Sequence, residues 1–326
     1  MKAKYFFFLL AVYFFTIELA HASATISRIA EDHFCLRWSA ARADSIRILQ
    51  VTDLHIGISR SWEKTWTTME RVEKLVELCR PDIIAVTGDL FTGEKKDSEA
   101  LSAFARVYFD RMQIPWFFTF GNHDPEGGQG REPIRRIFAG SEWGMMGSHN
   151  PDTGRFKCDY RIDVFVDQAP IPVWQVYAFD SGSERGNRSI KKNQLEWFRA
   201  QSQKSREEFK TIVPAVVFFH IPLQQYHDLW HDSTLVKSGE LHETVCLEED
   251  DGSVYQAFLD QGNVQACFCG HDHDNNYWGK YHGGILLVYG HVTGDGGYHR
   301  HWPPGGKLLS LPLKKGEIGV KDIVLE

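Results

Sequence analysis

Five short polar fragments, each set directly after an apolar run, constrain this 326-residue chain more than anything else in it. They are Asp53-x-His55, Gly88-Asp89, Gly121-Asn122-His123-Asp124, His220 and Gly270-His271-Asp272-His273, in that order. The apolar runs are 48–51, 83–86, 116–120, 213–219 and 264–268. One such fragment would mean little, because a lone histidine at a strand end is more often a plain polar residue than a ligand. Five in order imply strand ends that converge on one place, which is where open α/β sheets hold their ligands. The donors are carboxylates, imidazoles and one amide, with no thiolate, a set suited to hard or borderline divalent metals. They are too many for one tetrahedral ion and about enough for two.

Periodicity fills in the rest. Residues 45–52, 82–87, 116–120, 212–219, 264–269 and 285–289 read as strands, and 156–166 with 173–179 as a hairpin-like pair. Helical spacing predicts helices over 67–79, 97–112, 131–138 and 190–208. Within 82–87 the run 83–86 is wholly apolar, as in a sheet covered on both faces. Alternating β and α favours a layered α/β fold with mixed sheets. The segments 57–65, 126–130, 149–156 and 224–243 read as loops that set substrate shape.

The N-terminus carries Lys2 and Lys4, then an apolar stretch over 5–15, then Ala20-His21-Ala22-Ser23-Ala24. That order predicts a secretory signal over residues 1–24, cleaved near 22–25, with a single domain over 25–326 and an extracytoplasmic location. The alternative is an uncleaved anchor, although the stretch is short for a span. No stable membrane insertion is expected after cleavage. A net charge of −7 gives no basic track, so no nucleic-acid partner is expected. Export permits disulfides among Cys35, Cys79, Cys158, Cys246, Cys267 and Cys269; buried free thiols are the alternative. Asn187-Arg188-Ser189 is a glycosylation sequon, relevant only in a eukaryotic host.

The ordered set of fragments resembles the calcineurin-like metallophosphoesterase superfamily, whose pattern is D-x-H, G-D, G-N-H-[D/E], H and G-H-x-H. The resemblance covers roughly residues 46–311. Phe219-His220-Ile221-Pro222-Leu223, Gly270-His271-Asp272-His273-Asp274-Asn275-Asn276 and Tyr289-Gly290-His291-Val292-Thr293-Gly294 resemble a narrower branch, related to purple acid phosphatases but without their iron-binding tyrosine. Thr92 stands where G-D-x-x-Y would place that tyrosine, which argues against a purple iron centre.

The resemblance implies an αββα sandwich with two mixed β-sheets and two divalent metal ions, Mn, Zn, Fe or Mg. It implies Asp53, His55 and His273 on the first ion, Asn122, His220 and His271 on the second, and Asp89 bridging both. It implies that Asn122 and His123 meet the substrate phosphate and that His123 protonates the leaving group. On this pattern Asp124 would hydrogen-bond to His123 and fix its tautomer, and Asp272 would point elsewhere and orient its loop. His291, where related phosphatases often carry arginine, is a further candidate for the phosphate. His227, His231, His242, His282, His299 and His301 have no such support and are expected on the surface or in loops. The implied activity is a secreted phosphomonoesterase acting through a metal-bridging hydroxide on a small phosphorylated substrate. The alternatives are a phosphodiesterase on nucleotides or phospholipid headgroups, or a metal-bound protein without catalysis.

Overall fold

The structure is a computed structural model that describes residues 24–39, 44–57, 61–92, 98–126, 130–147, 158–182 and 188–325. The signal segment, the loop over 149–156 and Asn187 lie outside these residues.

Two sheets face each other. The six-stranded sheet runs in the order β15 (Gly319–Val324), β14 (Gly305–Pro312), β3 (Ser45–Val51), β4 (Ile83–Thr87), β5 (Trp116–Thr119), β6 (Gly144–Met145). The nine-stranded sheet runs β1 (Ala24–Ala30), β2 (His33–Trp38), β7 (Tyr160–Val166), β8 (Trp174–Ala178), β9 (Ala215–Phe218), β11 (Val264–Cys269), β13 (Leu286–Tyr289), β12 (Asn275–Lys280), β10 (Lys237–Leu241). Both are mixed. Strands β3 to β6 are parallel, and β14 pairs antiparallel with β3. Strands β8, β9, β11 and β13 are parallel, while β7 and β12 pair antiparallel with their inner neighbours.

Alternation along the strands decides which layer each side chain joins. On β9, Val216 and Phe218 enter the core between the sheets, and Ala215 and Val217 enter the core beneath the outer helices. Phe117 of β5 meets Phe218 edge-on at 5.0 Å, so the two sheets touch there. Helices α1 (Trp62–Cys79), α2 (Ser98–Asp110) and α3 (Arg131–Ala139) contribute to the first core. Helices α4 (Lys192–Phe209), α5 (Gln224–His231) and α6 (Ser253–Gln261) contribute to the second. The result is the four-layer αββα sandwich. Fully burying one of these large apolar side chains contributes roughly 1.5–3 kcal/mol, and strands such as β4, buried along its whole length, gain this on both faces.

Several elements depart from the sequence reading. Helix α1 starts at Trp62 because Ser61 caps it, its hydroxyl accepting from the Lys64 amide. Residues 224–243 are not all loop: they contain α5, β10 and the turn between them. Strands β14 and β15 were missed because glycine, lysine and proline interrupt their alternation. All six cysteines are free thiols, with Cys267 and Cys269 on the same face of β11. Among the described residues no helix is long and apolar enough to cross a membrane.

Candidate metal centre

The five polar fragments leave the carboxyl ends of β3, β4, β5, β9 and β11 and meet. The sharp departures need unusual backbone. Asp53 (φ 54), His55 (φ 47), Asp89 (φ 48) and His271 (φ 80) all sit in the left-handed region that non-glycine residues avoid. Such conformations cost of order 1–3 kcal/mol each and cluster at functional sites. Gly88 (φ +83) lies against the His220 ring, where a Cβ would come within 2.5 Å of Nδ1. A Cβ on Gly121 would overlap the Asp89 carboxylate. The glycines of G-D and G-N-H are thus required by close approach.

Ligand atoms of Asp53, His55 and His273 gather in one group, and those of Asp89, His220 and His271 in another. Asp89 Oδ2 stands 3.1 Å from His220 Nε2 and 3.9 Å from His55 Nε2, between the groups. Asp53 Oδ1 is 3.4 Å from His273 Nε2 and 3.8 Å from His220 Nε2. The ring orientations are fixed from behind. His220 Nδ1 donates to the Thr87 carbonyl at 2.9 Å, and His273 Nδ1 to the Tyr298 carbonyl at 2.6 Å. His55 Nδ1 shares a hydrogen bond with Thr92 Oγ1 at 2.7 Å. Each Nε2 is therefore turned inward, the orientation that outer hydrogen bonds give to metal-binding histidines. Thr92, which cannot replace a tyrosine ligand, serves in this outer role.

These residues fit a pair of cations. His220 Nε2 and Asn122 Oδ1 are buried atoms without a hydrogen-bond partner, and both belong to the expected ligand set. The Nε2 atoms of His55 and His273 approach each other at 3.1 Å, close enough for one cation to take both. The titration behaviour points the same way. Burial pushes His55 down to about 4 and His271, helped by the charge of His220, down to about 3. Burial alone would raise Asp53, but His273 and His220 outweigh it and hold it at about 2. Asp89 lies well below the usual carboxylate range, because the nearby charge of His220, with that of His55 and His123, overcomes its burial. His220 is held up at about 10 by Asp89 and Asp53 against its own burial. The cluster holds two ionised carboxylates in a buried place and draws in positive charge.

His123 is the exposed member, its side chain 39% accessible, with Nε2 4.0 Å from Asp89 Oδ2. Its amide donates to Asp89 Oδ1 at 2.8 Å, so the backbone is tied to the centre while the ring faces the cleft. The partner of that ring is not Asp124. His123 Nδ1 pairs with Glu126 Oε2 at 2.7 Å. Asp124 is buried and accepts from the amides of Asp89, Phe91 and Gly121, at 3.0, 2.9 and 2.7 Å. Those bonds turn its carboxylate beneath the loop, away from the imidazole. Asp272 ties its own loop down, accepting from the Cys246 amide and the Tyr289 hydroxyl.

His291 is a correction as well. It is buried, with Nε2 bonded to the Pro303 carbonyl at 2.8 Å and Nδ1 near Asn276 and Asp322. Both nitrogens are engaged on the β14–β15 side, so it takes no part in the cleft. The unsupported histidines do lie at the surface or in loops, His227 and His231 on α5. The cleft encloses about 650 Å³ and its wall includes Glu243, Cys246 and Tyr298. Sequence reasoning gave no cleft role to Cys246 or Tyr298, and reached Glu126 and Glu243 only as ends of loops expected to set substrate shape. For Glu126 the spacing of three from His123 was a usable signal; for Tyr298, stacked on His273 at 4.3 Å across 25 residues, there was none.

The family model described as calcineurin-like phosphoesterase matches residues 46–275. The chain is 28% identical to "Probable inactive purple acid phosphatase 28" of Arabidopsis thaliana over 83% of this chain and 76% of the relative. It is 25% identical to "Phosphatase DCR2" of Saccharomyces cerevisiae over 71% of this chain and 44% of the relative. A dimetal phosphatase from Danio rerio shares the fold, with a TM-score of 0.58 at 13% identity, covering 86% of this chain and 96% of that one.

Proposed function

The chain belongs to the calcineurin-like phosphoesterase family, and from that premise we propose that it is an exported, dinuclear-metal phosphomonoesterase. The observation that carries the reading is the pair of orphaned buried ligand atoms, His220 Nε2 and Asn122 Oδ1, in a cluster whose backbone is strained to bring it together.

Asp53, His55 and His273 would hold one cation and Asn122, His220 and His271 the other, with Asp89 shared. Bound cations supply Lewis acidity and lower the pKa of water toward neutrality. The protein's own groups do the remainder. Asn122 and His123 line the approach of the phosphate. His123 holds a proton at Nε2 and passes it to the departing oxygen. Glu126 accepts from Nδ1–H and so keeps Nε2 turned into the cleft. Asp124 fixes the turn that carries Asn122 and His123.

The Arabidopsis relative is named as inactive, and Thr92 removes the iron-binding tyrosine. Neither touches the acid: His123 stands in place beside Asp89. The basic, apolar and small-residue order of residues 1–24 supports export. The test is turnover of p-nitrophenyl phosphate and of bis(p-nitrophenyl) phosphate by purified protein supplied in turn with Mn, Zn, Fe and Mg. Monoester turnover exceeding diester turnover with at least one metal is expected. Diester preference would move the reading to a phosphodiesterase. Two tightly held metals with no turnover of either substrate would make the protein a non-catalytic binder.

A further inference from the structure

Beside the dinuclear cluster the cleft wall carries a second set of donors of different chemistry. Ligand atoms of Cys246, Glu248 and His271 lie within 4.8 Å of one another. Cys246 Sγ is 3.7 Å from Glu248 Oε1, and His271 Nε2 is 3.9 Å from the same oxygen. Donors on one tetrahedral zinc ion stand roughly 3.3–3.7 Å apart, the wider spacing being for pairs that include sulfur, given the usual metal–ligand distances. The two pairs that include Glu248 are within about half an ångström of that spacing, and Cys246 and His271 lie within the same 4.8 Å group. Glu248 is held at φ 50, a left-handed conformation, in the loop that carries both it and Cys246. Cys246 and His271 both face the cleft, so an ion can reach them from solvent.

We propose that Cys246, Glu248 and His271 form a third, inhibitory site for a thiophilic divalent cation such as Zn²⁺. Thiolate is the one donor type that the inner cluster lacks, and it selects softer ions than carboxylate and amide do. Binding releases the thiol proton to solvent and makes bonds from Sγ, a Glu248 oxygen and His271 Nε2, leaving a fourth position for water. The ion displaces Arg188, which sits 2.9 Å from Glu248 Oε1. That ion pair is partly exposed, so its loss is a small cost. His271 also belongs to the Asp89 and His220 group. Occupation of the outer site therefore withdraws or reorients an inner ligand and blocks part of the cleft. The site itself stands without the phosphatase reading; only its inhibitory effect rests on it.

The experiment adds Cd²⁺ to full-length protein already loaded with its activating metal and follows the ultraviolet cadmium–thiolate charge-transfer band. Wild type is expected to develop the band at one further equivalent. Cys246→Ser is expected to lack it while retaining the metals bound before. Turnover inhibition by Zn²⁺ should shift to higher concentration in Cys246→Ser by at least roughly 10–100-fold, the range that loss of even an outer-shell partner costs. Glu248→Gln should weaken the band's affinity without abolishing it. No band in wild type, a band that survives in Cys246→Ser, or equal Zn²⁺ sensitivity in both proteins overturns the proposal. A band that depends on Cys246 in a protein with no turnover supports the site and overturns the phosphatase reading instead.

Discussion

Asp89 gives Oδ2 to imidazoles of both donor groups and Oδ1 to the His123 amide, so one side chain joins the two halves of the cluster to the residue proposed as the acid. Asp89→Asn is expected to lose both metals and turnover together, read by metal analysis of the purified variant; two tightly held metals with near-normal turnover would overturn its bridging role. His123→Ala should keep its metals and lose roughly 10²–10⁴-fold in rate on poor leaving groups, the range for a positioned acid. The loss should shrink for a nitrophenolate, which needs little protonation. Glu126→Gln should follow the same leaving-group pattern with a smaller loss, whereas Asp124→Asn should lower stability and metal content, because its carboxylate holds three amides rather than the imidazole. Equal losses on both substrates in His123→Ala would remove it as the acid. The cluster was legible in the sequence because each fragment follows its strand directly and the strand fixes where the fragment goes. The orientation of Asp124 and of His291 was not, since a side chain's direction depends on amides and carbonyls that the fold delivers from 12 to 35 residues away.

At the scale of elements, the strands that end at the site were visible because they are short, apolar and bounded by polar residues. Helix α5 was not, because Gln224–His231 mixes three buried residues with polar ones in a single short run. The helices behind the nine-stranded sheet interlock through aromatic rings. Phe258 of α6 meets Phe198 of α4 at 5.1 Å and Phe179, just past β8, at 5.7 Å. Phe258→Ala should destabilise the protein by about 3–5 kcal/mol, as large-to-small changes in packed cores do. Its folded fraction should keep metal content, because that ring packs in the helix-side core against Phe179 and Phe198. Denaturant midpoints together with metal analysis check both parts.

The whole molecule rests in part on a buried charge at the outer edge of the six-stranded sheet. Lys307 of β14 is fully buried, 2.8 Å from Asp322 of β15, with Trp278 beneath its ammonium at 4.6 Å. Burial alone would push Asp322 up, but its hydrogen bond with His291 and the charge of Lys307 hold it at about 2, below its ordinary 3.8. The lowered value means the folded state binds the proton less readily than the unfolded chain. The stabilisation, roughly 2 kcal/mol, is full above pH about 4 and disappears as pH falls toward 2. Asp322→Asn should cost about 3–5 kcal/mol near neutral pH, by leaving Lys307 buried and unpaired, and should flatten this acid limb; Lys307→Met should be better tolerated. Unfolding curves across that pH range read both effects. The pairing of β14 with β3 has a consequence in time as well as in space. Strand β3 leads into Asp53 and His55, yet its open edge is closed only by Gly305–Pro312. During synthesis more than two hundred residues, counted from β3 to β14, leave the ribosome while that edge stays unpaired. Order of emergence and order of assembly therefore run opposite ways, and for that interval β3 offers an unpaired edge that another strand can join.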